Sequence, residues 1–184
     1  MRIGLWVEGE TDGAFYPALA ARILSGSNIG FEFRVRSGRC IKGLKIGLSE
    51  ILKEFDELRC DNLILCADNH GVSPGERARF SREVAKLVQP RTSIVAIAIQ
   101  SLEAWLLADH VSLCRICERP AMSQPSSVED MPDPKRYLKD HLGIYPNHDQ
   151  LRRIACEIDL DRARRTSPSL EAFLHELEAW RNQP

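Results

Sequence analysis

Apolar and polar residues fall into blocks along the chain, and the period of the pattern switches repeatedly between that of a strand and that of a helix. Arg2–Val7 is a short apolar run that predicts a first strand. Phe15, Leu19, Ile23 and Leu24 follow at helical spacing, which predicts a helix over Asp12–Leu24 closed by Gly26. Pro17 interrupts that pattern, and the expectation is that it sits near the first turn, where few internal hydrogen bonds are lost. Phe31–Arg36 alternates apolar and polar, as expected of a half-exposed strand towards a sheet edge. Ile41, Leu44, Leu48, Ile51, Leu52, Phe55 and Leu58 trace one face of a second helix. Leu63–Ala67 and Ile94–Ile99 are continuously apolar, the pattern of strands buried on both faces. Between them, Ser73-Pro74-Gly75-Glu76 combines a capping serine, an N-terminal proline and a glutamate at the third position, and opens a third helix running to about Val88. A fourth helix begins near Ser101 and runs through Trp105-Leu106-Leu107.

Strand and helix alternate up to about residue 110, so the pattern predicts an α/β fold with a central parallel sheet of about four strands flanked by helices. Prolines and serines then accumulate, and helical periodicity returns near Lys135–Leu142, Gln150–Ile158 and Leu170–Trp180. The organisation expected is an α/β domain over 1–117, a loop over 118–134, and a helical C-terminal extension over 135–184 packed on the same domain.

Composition narrows the function classes. The 184 residues are 43% hydrophobic and 28% charged, an ordinary globular balance, with a net charge of −1. A global basic field for nucleic acid is therefore absent, and any such contact needs a local patch. No apolar run reaches the length of a bilayer span, so no membrane association is expected. The opening residues read as a strand rather than a signal peptide, and the six scattered cysteines show no disulfide framework; both point to a cytoplasmic protein with reduced thiols. His110, Cys114 and Cys117 have a spacing seen in zinc sites, but a lone CxxC without a second pair reads better as one face of a helix.

The candidate chemistry lies at strand ends. In parallel α/β sheets, functional groups gather beyond the carboxyl ends of the strands, near a reversal in strand order. Glu8 follows the first strand, Asp68 the third, and Glu103 stands just past the fourth, with Asp12 at the start of the first helix. Strands that neighbour one another would set Glu8 and Asp68 about 4.8 Å apart, close enough to share a hard cation. Each acid could instead simply cap a helix or form a turn. Arg34, Arg36, Arg39, Lys42 and Lys45 make a basic corner with no acid between them, suited either to phosphate contact or to plain solvation.

Three segments carry a family resemblance. Val7-Glu8-Gly9-Glu10-Thr11-Asp12 resembles the opening motif of Toprim domains, and Ala67-Asp68-Asn69-His70 stands where those domains carry paired aspartates. Glu103-Ala104-Trp105-Leu106-Leu107-Ala108-Asp109 and Ser167-Pro168-Ser169-Leu170-Glu171-Ala172-Phe173 are similar to segments of a Toprim-like bacterial group, domain-of-unknown-function family 4276. The resemblance extends distantly to nucleases of the overcoming-lysogenisation-defect type. It implies a Toprim fold and a metal-dependent nuclease, acting on nucleic acid in phage defence alongside an ATPase partner. It also implies residue roles. Glu8 and Asp68 would be catalytic, and Glu8, Asp12, Asp68, His70 and Glu103 would hold Mg2+ or Mn2+. Arg34, Arg36, Arg39 and Lys42 are the candidate nucleic-acid contacts. His70 in place of the second aspartate departs from the pattern, and histidine suits manganese or zinc better than magnesium. The alternative is a degenerate Toprim-like domain that binds nucleic acid or a protein without cutting.

Overall fold

The first strand, β1 (Arg2–Val7), is the axis of the sheet: all but its first residue are buried. In the computed structural model, residues 2–25, 32–37, 40–68, 73–120, 123, 125 and 127–182 are described. The strands β2 (Glu32–Ser37), β3 (Asn62–Asp68) and β4 (Thr92–Ala98) complete a four-stranded sheet in the order β2-β1-β3-β4. All pairings are parallel, with Trp6 opposite Arg36 on one side and Leu65 on the other. The fold is thus α/β with an all-parallel sheet flanked by helices, in the strand order that a site between β1 and β3 requires.

Helices cover both faces. On one, α2 (Cys40–Glu57) and α3 (Pro74–Leu87) bury Leu48, Phe55 and Val84 against Trp6, Leu63 and Leu65. On the other, α1 (Asp12–Leu24) packs Phe15, Tyr16 and Leu19 into a larger cluster with Ile3, Leu5, Val7, Ile64 and Cys66. The α3 start carries the expected capping box: the Ser73 hydroxyl accepts from the Glu76 amide, and the Glu76 carboxylate accepts from the Ser73 amide. Pro17 lies beyond the first turn of α1, contrary to the sequence expectation, and the helix runs through it. Burial of residues on either side of the proline, including Tyr16 and Leu19, stabilises a helix that local propensity would break. Gly26, expected to close that helix, falls outside the described residues.

The C-terminal half joins the larger cluster. The helix expected near Ser101 is α4 (Leu102–Ala108), and it stops at Asp109, where α5 (His110–Ile116) begins in a new direction. The expected Lys135–Leu142 helix is a short α6 (Pro134–Tyr137) running into a π turn at Leu138–Leu142. Then come α7 (His148–Glu157), α8 (Leu160–Thr166), which hydrophobic periodicity does not announce, and α9 (Pro168–Arg181). Leu138, Leu151, Ile154, Leu170, Phe173 and Leu174 belong to the same core as β1 and α1. Phe173 stacks on Trp105 with ring centroids 5.4 Å apart, and Tyr16 meets Trp105 edge-on at 5.6 Å.

Two buried acids hold the break in the helices. Asp109 is fully buried and accepts hydrogen bonds from the Ser112 and Asp159 amides and from Arg162, at 3.3, 2.7 and 2.5 Å. Burial alone would raise its pKa, but these donors outweigh it and hold the carboxyl below its ordinary value. Glu129 accepts from the Ser167 hydroxyl and from the amide and hydroxyl of Ser169, while the Ser169 hydroxyl accepts from the Trp105 indole at 2.8 Å. His110 and Cys114 touch within the core, Nε2 to Sγ 3.4 Å, and both are buried.

The Asp109 node gives a direct test. Asp109→Ala leaves two amides without their acceptor and Arg162 with Asp159 as its remaining carboxylate, and is expected to cost about 2–4 kcal/mol. Arg162→Ala is expected to cost less, because Arg162 is one-third exposed and Asp109 keeps its amide donors. Urea unfolding of both variants checks the order; equal losses would mean that the carboxylate is not the centre of the node.

Candidate active site

Glu8, Asp12, Asp68 and Glu103 meet in one cleft of about 650 Å³ at the carboxyl edge of the sheet. The order β2-β1-β3 puts the reversal of chain direction between β1 and β3, and this is where Glu8 and Asp68 emerge. Asp68 is the last residue of β3 rather than the first of the loop, so the sheet itself fixes its backbone. The Glu8 carboxylate accepts from the Asp68 amide at 3.0 Å, a bond that ties the two strand ends together. Asp68 in turn accepts from the Leu102 amide at 2.9 Å. It therefore caps α4, whose own N-cap residue, Ser101, makes no side-chain cap. Capping and site-building are here the same contact, which joins the β3 end to the helix carrying Glu103.

Asp12 is held by a tight turn. Its carboxylate accepts from the Gly9 amide at 2.9 Å. A Cβ at Gly9 would come within 3.2 Å of that carboxylate oxygen, so the close approach suits glycine. Glu103 stands in the first turn of α4 with Lys135 of α6 at 3.9 Å. Asp133, which caps α6 through the Arg136 amide, also lines the cleft.

The electrostatics record this convergence. Burial pushes the Asp68 carboxyl up to about 8, and repulsion from Asp12, Glu8 and Glu103 adds to the rise. Burial likewise lifts Asp12 to about 6, reinforced by Glu103 and Glu8 and opposed by the Gly9 amide. Two buried hydroxyls also lack hydrogen-bond partners among the described residues. Ser101 lines the cleft with its Oγ unsatisfied. The Tyr16 hydroxyl is unsatisfied too; burial raises its pKa well above the ordinary value, and Cys66, Asp68, Asp12 and Glu103 add to it. An unsatisfied buried hydroxyl costs about 1–3 kcal/mol, so such groups normally find a partner in water or a ligand.

Among the described residues, no three side chains of His, Cys, Asp and Glu form a ready-made metal cage. Magnesium and manganese do not need one. Magnesium commonly takes one or two carboxylates and completes its shell with water and phosphate. The all-oxygen donor set at the β1 and β3 ends fits an open, hydrated site of that kind, and does not fit a closed structural one.

Arg34 and Arg36, two of the other sequence candidates, are placed elsewhere. Arg34 is ion-paired with Glu32 at 2.7 Å and Arg36 with Glu54 at 3.0 Å, and neither lines the acidic cleft. The side chain of Lys42 in α2, and both His70 and Arg39, lie outside the described residues. Sequence reasoning missed Asp133, Lys135 and Ser101. Asp133-Pro134 is a readable helix start, a capping acid before a first-turn proline. Nothing local says that this helix closes over β1 and β3.

No helix among the described residues is long and apolar enough to cross a membrane. Neither the curated proteins nor the solved structures searched contain a significant match to the chain.

The raised carboxyl groups make stability depend on pH. A carboxyl whose folded pKa is above its unfolded value stabilises the fold fully below the unfolded pKa, near 4, and loses that contribution as pH rises through the folded value. In EDTA, the contributions of Asp12 and Asp68 should be lost as pH passes about 6 and about 8. His110, buried with a lowered pKa, works in the opposite direction at acid pH, so the comparison must be internal. Asp68→Asn keeps an acceptor for Leu102 and removes the charge. Its melting temperature should exceed the wild type's by about 3 °C or more at pH 8.5, with the gap closing towards pH 5. A gap independent of pH would mean that Asp68 does not titrate in this range.

A family model described as domain of unknown function (DUF4276) matches residues 7–178, from the end of β1 into α9, and on this match the chain belongs to that family.

Proposed function

We propose that the chain is a divalent-metal-dependent nuclease of Toprim type, using the cleft between β1 and β3. The observation that carries this reading is the meeting of Glu8 and Asp68 at adjacent parallel strand ends, with Asp68 burdened by three neighbouring acids. A cation is the natural counterpart of such a group, because it would offset both the burial that chiefly keeps a proton on Asp68 and the repulsion that adds to it. The strand order and the placement of these acids support the relation to Toprim domains and to overcoming-lysogenisation-defect nucleases. An ATPase partner in phage defence is part of the same proposal.

In this mechanism Glu8 and Asp68 would hold the ion, Asp12 and Glu103 would support it, and Glu8 would also accept the proton of the attacking water. His70 would add a ligand. Bound Mg2+ or Mn2+ would supply Lewis acidity at the scissile phosphate. Lys135, beside Glu103 and 81% exposed, can leave its weak ion pair to meet a phosphate oxygen. Ser101 offers its unsatisfied hydroxyl to the same group or to an ordered water.

The experiment is a manganese titration followed by a cleavage assay. At a hundredfold excess over Kd, linkage contributes about 2.7 kcal/mol, a rise of several degrees in melting temperature. Glu8→Gln should abolish the rise while folding normally. Wild type with manganese should nick plasmid or degrade single strands, and Asp68→Asn should not. A melting curve unchanged into the millimolar range, with no cutting, would overturn the nuclease and leave a binding module.

A further inference from the structure

Beside the acidic cleft lies a second pocket of about 720 Å³, with Thr11, Asp12, Glu103, Asp133 and Lys135 shared between the two walls. Its floor is apolar: Leu106, Leu138, Ile144 and Leu151 line it, and each is otherwise buried. Its mouth carries the cations Lys135, Arg136 and Lys139 and the Tyr145 ring, interleaved with four acids, of which Asp133 and Asp140 are engaged by Arg136. The π turn at Leu138–Leu142 ends at Gly143, whose φ of 59° is left-handed, and the chain then folds back so that the Ile144 amide donates to the Leu138 carbonyl at 3.0 Å. This reversal brings Tyr145 to the mouth, 66% exposed, with the Lys139 ammonium 5.9 Å from its ring centroid. Arg136 pairs with Asp140 at 3.1 Å on an exposed face, an ion pair weak enough to exchange for phosphate.

A cavity with an apolar floor, an exposed aromatic ring and cations set among the acids of its rim suits a ligand with a flat, weakly polar part and an anionic part. A nucleotide has both, and the volume lies in the range of small-ligand sites. Because the pocket shares a wall with Asp12 and Glu103, a base seated in it would leave its own phosphate or the next at the acids. A base inside a duplex is stacked on both faces and paired at its edge, so only an unpaired base can enter. We infer that this pocket takes one unpaired base of a nucleic-acid strand whose backbone crosses the acidic cleft, and that single strands are preferred to duplex, in which the base must first be flipped out. The inference rests on the nuclease reading for its orientation, but its binding surface lies outside the acids.

The test uses the full chain with manganese and phosphorothioate-linked oligonucleotides that resist hydrolysis. Fluorescence anisotropy compares a labelled single strand with the same strand in a duplex, and 2-aminopurine placed in the strand reports stacking. The single strand should bind more tightly and its 2-aminopurine should be quenched. Tyr145→Ala should weaken single-strand binding about tenfold, in the range of one lost base–aromatic stack, and relieve the quench. Tyr145→Phe should restore both, while the manganese-induced rise in melting temperature stays the same in all three proteins. Equal affinity for single strand and duplex would overturn the inference, as would an unchanged affinity in Tyr145→Ala. Thymidine monophosphate competing as well as the strand would overturn it in favour of a free-nucleotide site. Tyr145-dependent strand binding without any manganese effect on melting would instead fail the nuclease reading alone.

Discussion

The chain enters its sheet at an inner position, and the site depends on that constraint. β1 pairs with β2 on one side and β3 on the other, so the connection after β1 runs one way along the sheet and that after β3 the other. The Glu8 and Asp68 side chains lie in the crevice where the two directions part. The Glu8–Asp68 amide bond and the Asp68–Leu102 amide bond then fix both carboxylates against backbone rather than against other side chains. Backbone of a buried parallel sheet is the least mobile anchor a small protein has, and this suits charges that must be held close despite repelling one another.

The C-terminal helices are needed for the same reason. α6 closes the cleft with Asp133 and Lys135, yet it is only four residues long and has little stability of its own. Its position is set by the larger core behind it, where Trp105, Ser169 and Glu129 form one hydrogen-bonded chain and Asp109 joins the start of α5 to α8. The segment Glu103–Asp109 thus has two faces. Glu103 looks into the cleft, while Trp105 and Asp109 look into the core. The similar segment Ser167–Phe173 has no residue lining the cleft and works wholly by packing and hydrogen bonding to that inner face.

What could be read from the sequence was what depends on local order. The strands and the α3 cap follow from neighbouring residues, and the strand-end acids follow from the strands. The pairs that decide the site are distant in sequence: Glu8 with Asp68, Asp68 with Leu102, and Glu103 with Lys135. No period or motif records those. The basic run shows the reverse case, since Arg34 and Arg36 have no acid near them in sequence after Glu32 but Arg36 finds Glu54 one helix later. A run of like charge in sequence is therefore a poor guide to free charge in space. Likewise α8 is too short for hydrophobic period to mark it, and it is held by Asp159 at its cap and by Thr166 donating to the Ala108 carbonyl.

A cluster of acids can be neutralised by protons or by a cation, and the two compete. Asp68 carries the greater burden because it is buried and has Asp12, Glu8 and Glu103 around it. A proton there relieves the repulsion of one group only, whereas a divalent ion relieves that of several at once. A cation bound there would therefore gain most where the proton is weakest, above about pH 8, and would lose ground as acidity returns the proton to Asp68. The hydrogen bonds from the Leu102 and Gly9 amides oppose the proton, since each stabilises the charged form of the carboxyl it reaches. The backbone thus sets where the acids stand, and the solution decides which positive charge they hold.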